Sequence, residues 1–306
     1  MVAQQHEPVL YQEIIHALQP RASGRYVDGT VGAGGHARGI LDASSPDGCV
    51  LGMDVDAAAL ELALANLASY GERVTLTRAS YDTLLDAMHA RGWQAVDGIV
   101  LDLGVSSMQL DTQGRGFSFQ SEAPLDMRFN PESGMTAAEL INTAQESELA
   151  DVLFKFGEEP RARKIAQLIV RARPITTTTE LAGIVKRAYH ERVRLHPATR
   201  TFQALRIAVN DELGCLERAL PRALEALQPG GRLAVISFHS LEDRIVKRFF
   251  RQQSKDQINP PYMQEYEVEK RASLREINRR PIVPGEAEVR TNPRARSARL
   301  RTAEKI

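Results

Sequence analysis

Gly24-Arg25-Tyr26-Val27-Asp28-Gly29-Thr30-Val31-Gly32-Ala33-Gly34-Gly35-His36 is the stretch that decides the fold. Its first five residues read as a short strand. The glycines that follow let the chain turn sharply and aim backbone N–H groups at a ligand. Residues 37–41 then continue as helix, and Cys49-Val50-Leu51-Gly52-Met53-Asp54 reads as a second strand. That strand closes on a carboxylate 20 positions after Gly34, where an acidic side chain can accept both ribose hydroxyls of a nucleoside. Strand, glycine-rich turn, helix and strand make a βαβ unit, the seed of a parallel sheet. The ligand is open at this point, because Gly32-Ala33-Gly34-Gly35-His36-Ala37 also satisfies G-x-G-x-x-A, the dinucleotide fingerprint.

Working outward, Asp56 caps a helix in which Leu60, Leu64 and Leu67 recur at helical spacing until Gly71 stops it. Residues 74–77 predict a third strand. The apolar run Val96-Asp97-Gly98-Ile99-Val100-Leu101-Asp102 predicts a fourth, buried on both faces. After Asp102 the alternation stops. Residues 106–201 hold no convincing strand, but they carry helical patterns near 136–156, 158–173 and 178–194, with Thr176–Thr179 the one biased tract. A further helix runs through Phe202, Leu205, Val209, Leu213, Leu216 and Leu220, followed by a Gln228-Pro229-Gly230-Gly231 turn and a strand over 232–238. The expected architecture is a doubly wound, Rossmann-like α/β domain built from residues 1–105 and 206–306. A mostly helical domain, residues 106–205, interrupts it.

The composition of the 306 residues, 43% hydrophobic and 25% charged, is that of a globular chain and excludes collagen-like, disordered and disulfide-scaffold classes. No run of 18 apolar residues offers a membrane span, and the N-terminus lacks a basic-then-apolar signal, so a cytoplasmic location is expected. Cys49 and Cys215 are too few for a zinc knuckle, and His196 and His239 have no third ligand nearby in sequence, so no metal is expected. The formal charge of zero is a cancellation. Residues 1–160 carry 9 Lys+Arg against 23 Asp+Glu, a balance of −14, and residues 161–306 carry 30 against 16, a balance of +14. Such asymmetry points to a polyanionic partner.

Two carboxylates favour S-adenosylmethionine over a nicotinamide cofactor. Asp28 stands where methyltransferases carry the acidic residue before the glycine-rich loop, beside the methionine amino group. Asp102 ends the fourth strand, where amine methyltransferases hold the acceptor nitrogen. The resemblance then becomes specific. His6-Glu7-Pro8-Val9-Leu10, the Asp28–His36 turn and Asp102-Leu103-Gly104-Val105-Ser106-Ser107-Met108-Gln109-Leu110-Asp111 occur in the order seen in the RsmH (MraW) family of ribosomal RNA methyltransferases. So do Arg115-Gly116-Phe117-Ser118-Phe119, Pro124-Leu125-Asp126-Met127-Arg128, Gly157-Glu158-Glu159, the run from His196 to Arg206, the run from Ser237 to Arg244, and the run from Asn292 to Ser297. Together these motifs span nearly the whole chain.

The resemblance implies a methyltransferase fold and transfer of a methyl group from S-adenosylmethionine to N4 of a cytidine. By the same resemblance the expected target lies in the P-site decoding region of 16S ribosomal RNA, within an assembled small subunit. It also implies that Gly34, Gly35 and His36 contact the cofactor, Asp54 its ribose, and Asp102 and Gln109 its surroundings. Tyr81 falls where the family usually has Phe beside the adenine. The loop lacks the double proline and aromatic of many N4 and N6 methyltransferases, so the acceptor is either the carboxylate of Asp102, the candidate catalytic residue, or a backbone carbonyl of that loop, with Asp102 then touching only the cofactor. Residues 161–206 carry 11 Lys+Arg against 2 Asp+Glu. Of these Arg161, Lys164, Arg171 and Arg200 are the expected phosphate contacts, with Arg173, Lys186, Arg187, Arg192 and Arg194 alongside. Phe117, Phe119 and Phe129 either stack on an extruded base or pack the insert. Arg290, Arg294, Arg296, Arg299 and Arg301 either touch RNA or form a solvated end. A homodimer is left open, and the alternatives to an RNA methyltransferase are an NAD-dependent dehydrogenase and a non-catalytic rRNA-binding assembly factor.

Overall fold

The computed structural model describes residues 8–106, 109, 114–189, 196–256 and 271–306. His6, Glu7, Ser107, Met108, Leu110, Asp111, Arg192 and Arg194 lie outside the described residues. The chain forms two compact units, Met1–Gly104 with Gly214–Ile306, and Val105–Leu213. The boundary expected at 205/206 cannot stand, because it would cut the helix Ala198–Asn210 in its middle.

The first unit follows the alternation in the sequence: α1 (Tyr11–Leu18), β1 (Arg25–Asp28), α2 (Gly35–Ala43), β2 (Cys49–Asp54), α3 (Ala57–Leu67), β3 (Val74–Arg78), α4 (Leu84–Ala90) and β4 (Val96–Asp102). After the interruption it resumes with β5 (Leu227–Ser237), a helix Ser240–Gln253, β6 (Leu274–Glu276), a short helix Glu286–Thr291 and β7 (Arg299–Lys305). These strands form a seven-stranded sheet in the order β3-β2-β1-β4-β5-β7-β6, with β7 antiparallel to both neighbours. It is a doubly wound, Rossmann-like sheet. The chain winds outward from β1 to β3, then restarts at β4 on the other side of β1. That reversal leaves a crevice beyond the carboxyl ends of β1 and β4, where open α/β sheets bind ligands.

One face of the sheet buries Val27, Leu51, Ile99 and Leu101 with Met88, Leu220 and Phe250, and the other buries Tyr26, Val50, Val100 and Ile236 with Ile14, Ile40 and Leu67. Three details depart from expectation. The buried stripe of α3 is Ala59, Ala63 and Leu67, and Leu64 is 65% exposed. Asp56 does cap α3, accepting the N–H of Ala58, but the helix ends at Leu67 and continues as a tighter turn through Gly71. Finally, the C-terminal arginines do not belong to a loose end. Leu300 and Ala303 are buried in β7, and Arg301, only 4% exposed, donates from Nε to Asp243 at 2.7 Å.

The second unit is helical, with helices over Ala137–Thr143, Glu146–Gly157, Ala162–Ala172, Thr178–Lys186 and Ala198–Asn210. We number these α5 to α9, the helix Glu212–Ala226 α10, Ser240–Gln253 α11 and Glu286–Thr291 α12. The periodicity over 136–156 is two helices because two capping boxes start them, Thr136 with Glu139 and Gln145 with Glu148. The single helix expected through Phe202 and Leu220 breaks at Asp211. That residue adopts the left-handed conformation (φ 48°) and returns its N–H to Ile207. Asn210 explains the site of the break, since its side chain is engaged with Phe129 N–H and Met127 O. The threonine tract serves α8: Thr177 and Glu180 form its capping box, and the Thr178 hydroxyl bridges Ser121 O and Ala123 N–H.

Candidate functional site

β1, β2 and β4 are parallel neighbours, so Asp28, Asp54 and Asp102 end on one edge of the first unit. The turn after β1 is held to that edge at three points. Gly29 N–H donates to Val100 O (3.0 Å), Thr30 N–H to Asp28 Oδ1 (3.2 Å), and Asp102 N–H to the Thr30 hydroxyl (2.7 Å). Thr30 therefore ties the end of β4 to the glycine turn. It is a tie within the candidate site that the sequence reading missed, although a lone hydroxyl inside a glycine-rich turn is a usable signal.

Gly34 has φ 87°, a conformation open to glycine at little cost. At Gly35 a Cβ would lie 2.3 Å from the Pro8 ring, so only a bare α-carbon fits there. α2 starts at this point without a side-chain cap, leaving its first N–H groups for a ligand. Tyr81 opens the turn after β3, and its Cβ would sit 3.0 Å from a Cβ on Gly29, which places it beside the end of β1. The Asp54 carboxylate accepts Gly32 N–H at 3.0 Å through Oδ2 and Asp56 N–H at 2.9 Å through Oδ1. A carboxylate has about four acceptor positions, so each oxygen retains capacity for a hydroxyl donor.

His36, an expected cofactor contact, also approaches Asp102. Its ring is 5% exposed, stacks on Tyr11 at 6.4 Å between centroids, and brings Nε2 to 3.4 Å from Asp102 Oδ2. The two are within ion-pair reach, but neither ring nitrogen makes a hydrogen bond among the described residues. Asp28 Oδ2 and Asp102 Oδ1 are buried and likewise unbonded. Asp28 Oδ2, Asp102 Oδ1 and His36 Nδ1 are thus withdrawn from water without a hydrogen bond, a state that costs free energy unless a ligand satisfies them. Burial pushes the Asp28 carboxyl up to about 7, against the pull of His36 and the Thr30 N–H. Burial also raises Asp54. For His36 burial disfavours the cation, yet the Asp102 and Asp28 carboxylates outweigh it and raise the imidazole above its ordinary value.

Gln109 belongs to the second unit, where it is buried and accepts Ser106 N–H through Oε1 at 3.0 Å. The expected phosphate contacts lie in that unit too, and they differ among themselves. Lys164, Arg171 and Arg200 are exposed, as is Arg163, which the sequence reading passed over. Arg161 is partly buried: it donates to Ala188 O at 2.5 Å and lies 4.7 Å over the Tyr189 ring. Arg173 donates to Ile141 O and Ala144 O, both at 2.6 Å. The aromatics pack within the unit, Phe117 stacking on Phe129 and Phe119 contacting His196 and Phe202. His196 accepts Ala198 N–H, and His239 accepts Glu242 N–H at the start of α11, so both serve helix ends.

The sequence also matches known proteins along its length. Residues 3–306 match the MraW methylase family. A ribosomal RNA small subunit methyltransferase H from Heliobacterium modesticaldum is 52% identical over 308 residues, covering 98% of each chain. The protein of the same name from Geotalea uraniireducens is 51% identical over 307 residues, again covering 98% of each. Among solved structures, an rRNA methylase from Streptococcus thermophilus aligns over 99% of both chains at 12% identity and TM-score 0.46, an overlap too loose to carry argument. A match over almost every residue, joined to half-identical relatives of equal length, is decisive: the chain belongs to the MraW methylase family.

Proposed function

We propose that this methylase transfers the methyl group of S-adenosylmethionine to N4 of a cytidine in the P-site decoding region of 16S ribosomal RNA, acting in the cytoplasm on an assembled small subunit. The observation that carries the reading is Asp102 Oδ1, a buried acceptor without a hydrogen bond at the carboxyl end of β4, beside a glycine turn built for a nucleoside. The open polar atoms fit the cofactor. Asp28 Oδ2 would face the methionine ammonium, the remaining acceptor positions of Asp54 the ribose hydroxyls, Tyr81 the adenine, and the Gly34–His36 backbone the amino-acid end. Asp102 would complete the surroundings. S-adenosylmethionine supplies a methyl group on a positively charged sulfur, which becomes a neutral thioether on transfer.

The residues then have to make an amide-like amine nucleophilic. The N4 lone pair of cytosine is delocalised into the ring, and a strong acceptor on one N4 proton draws that nitrogen toward tetrahedral geometry. Asp102 Oδ1 is that acceptor, and its carboxylate takes the proton that N4 must lose once the new N–C bond has formed. Thr30 and His36 hold Asp102 in register: Thr30 from the main chain, His36 from the side of Oδ2. Alignment at about 3 Å supplies much of the rest. The nicotinamide alternative and the non-catalytic alternative find no support in a methylase family with these carboxylates in place. The test is nucleoside mass spectrometry of small subunits lacking the modification, treated with the protein and isotopically labelled S-adenosylmethionine. Label is expected in N4-methylcytidine at one position of 16S RNA. Label in another nucleoside would overturn the reading.

A further inference from the structure

The C-terminal arginines stand on the same sheet edge as the candidate site. β7 runs antiparallel to β5, and its first residue, Arg299, pairs with Ser237 at the carboxyl end of β5, while Ile236 pairs with Asp102 on β4. Arg299 is therefore two strand spacings from the end of β4, about 10 Å. The turn before it, Pro293–Ser297, is capped by Asn292, which accepts the N–H of Arg294 at 3.2 Å. Ala295, Ala298 and Leu300 are fixed in the core cluster that also holds Val31 of the glycine turn and Ala37 of α2. With those positions anchored, the neighbouring Arg294, Arg296 and Arg299 are exposed. The element is seated from its other side as well, since Glu288 of α12 accepts the N–H of Leu10, two residues after the Pro8 that packs on Gly35.

From residue 290 to 301 there are five arginines and no acidic residue. One of them, Arg301, is buried against Asp243, and Arg299 shares that carboxylate at 3.1 Å while remaining 47% exposed. Arg244, the next residue after Asp243, is also exposed. A solvated end needs none of this anchoring. A row of guanidinium groups on the sheet edge that carries Asp28, Asp54 and Asp102 offsets the repulsion those acids exert on an approaching polyanion, and planar forks suit phosphate oxygens.

We propose that Arg294, Arg296 and Arg299, with Arg244, form a rim on the methyltransferase unit that binds backbone phosphates of the RNA next to the target nucleotide. This rests on the RNA-methylating function proposed above. The probe is a fluorescent single-stranded RNA, with anisotropy followed over a series of potassium chloride concentrations for the full chain. An Arg294→Gln/Arg296→Gln variant is expected to bind about tenfold more weakly at low salt, with a log–log salt slope shallower by about 1.4, two contacts at roughly 0.7 each. Its affinity for S-adenosylhomocysteine is expected to be unchanged, and Arg294→Lys/Arg296→Lys should restore most of the slope. An unaltered slope in a variant that still binds S-adenosylhomocysteine overturns the rim alone. Loss of S-adenosylhomocysteine binding in the Gln variant also overturns it, by making the turn a support of the glycine loop. If the unmodified chain binds polyglutamate as tightly as RNA, the rim is a surface for acidic polypeptides and the proposal fails. A wild-type chain with no salt-dependent RNA binding would instead count against the function itself.

Discussion

The acidic end of the first unit and the basic helices of the second hold opposite charge, and they use it in opposite ways. Asp28, Asp54 and Asp102 are few, only Asp28 is fully buried, and all three keep open acceptor positions at the sheet edge. The cations of residues 161–206 are many, but Arg161 and Arg173 are occupied by carbonyls of their own unit while Lys164, Arg171 and Arg200 face solvent. Charge counted along a sequence therefore says little about charge available to a partner. What decides is whether the unit's own backbone already uses it. Desolvation makes Asp28 and Asp54 energetically expensive, whereas the exposed cations of the second unit are cheap and individually weak.

The largest effect that would sharpen this contrast belongs to Asp28→Asn. The carboxyl sits at about 7 in the folded chain against an ordinary 3.8. Between those values the folded state holds a proton that the unfolded state has released, so rising pH lowers stability across the window. Above pH of about 7 the whole cost of the buried carboxylate is present, on the order of 4 kcal/mol. The Asn variant should match wild type near pH 4 and exceed it progressively up to pH 8 in denaturant titrations. It should also lose affinity for S-adenosylhomocysteine, because the ligand's ammonium has lost its counter-ion. In wild type that affinity should climb by up to about tenfold per pH unit below 7 and level off above it. A flat pH profile for both proteins would mean that Asp28 is no charged binding group.

Asp54→Ala comes next. Removal takes away two acceptors for the ribose and releases Gly32 and Asp56 N–H, so calorimetry should show S-adenosylhomocysteine bound about a hundredfold more weakly, close to 3 kcal/mol. RNA affinity should hardly move. Equal loss of both ligands would erase the division between an acidic binding edge and basic contacts elsewhere.

Much of the first unit was legible in its sequence because its signals are local. A strand ending in Asp28, a turn with glycines at 32, 34 and 35, and a carboxylate at 54 each act within a few residues, and β1 to β4 fall where the apolar runs place them. The carboxylates at the sheet edge were readable for the same reason. The misreadings come from interactions between distant residues. Nothing near Asp211 announces that Asn210 will bond to Phe129 and Met127 and end the helix there. Nothing in a row of arginines shows that Arg301 will lie buried on Asp243, 58 residues away. His36 was legible as part of a motif, but its approach to Asp102 depends on the β1–β4 pairing.

Arg173→Ala tests the occupied class of cation. Its guanidinium serves the carbonyls of Ile141 and Ala144 at the end of α5, so the variant should lose about 2 kcal/mol of stability in urea titrations while its RNA affinity is little changed. A loss of RNA binding at unchanged stability would place Arg173 among the contacts and undo the distinction.

The smallest free-energy effect is the most diagnostic. Lys164 and Arg171 lie seven residues apart on α7, opposite a face that buries Ile165, Ala166 and Ile169. At two turns' separation they project from the same side of the helix. Since both are exposed, replacing both with Gln should leave the unfolding midpoint within about 0.5 kcal/mol of wild type. What changes is the number of counterions an RNA ligand releases, so the log–log salt slope should fall by about 1.4 and low-salt affinity about tenfold. The same change in slope on Arg161→Gln would mean that its bond to Ala188 O yields readily to phosphate, and burial would then be a poor guide to which cations RNA can use.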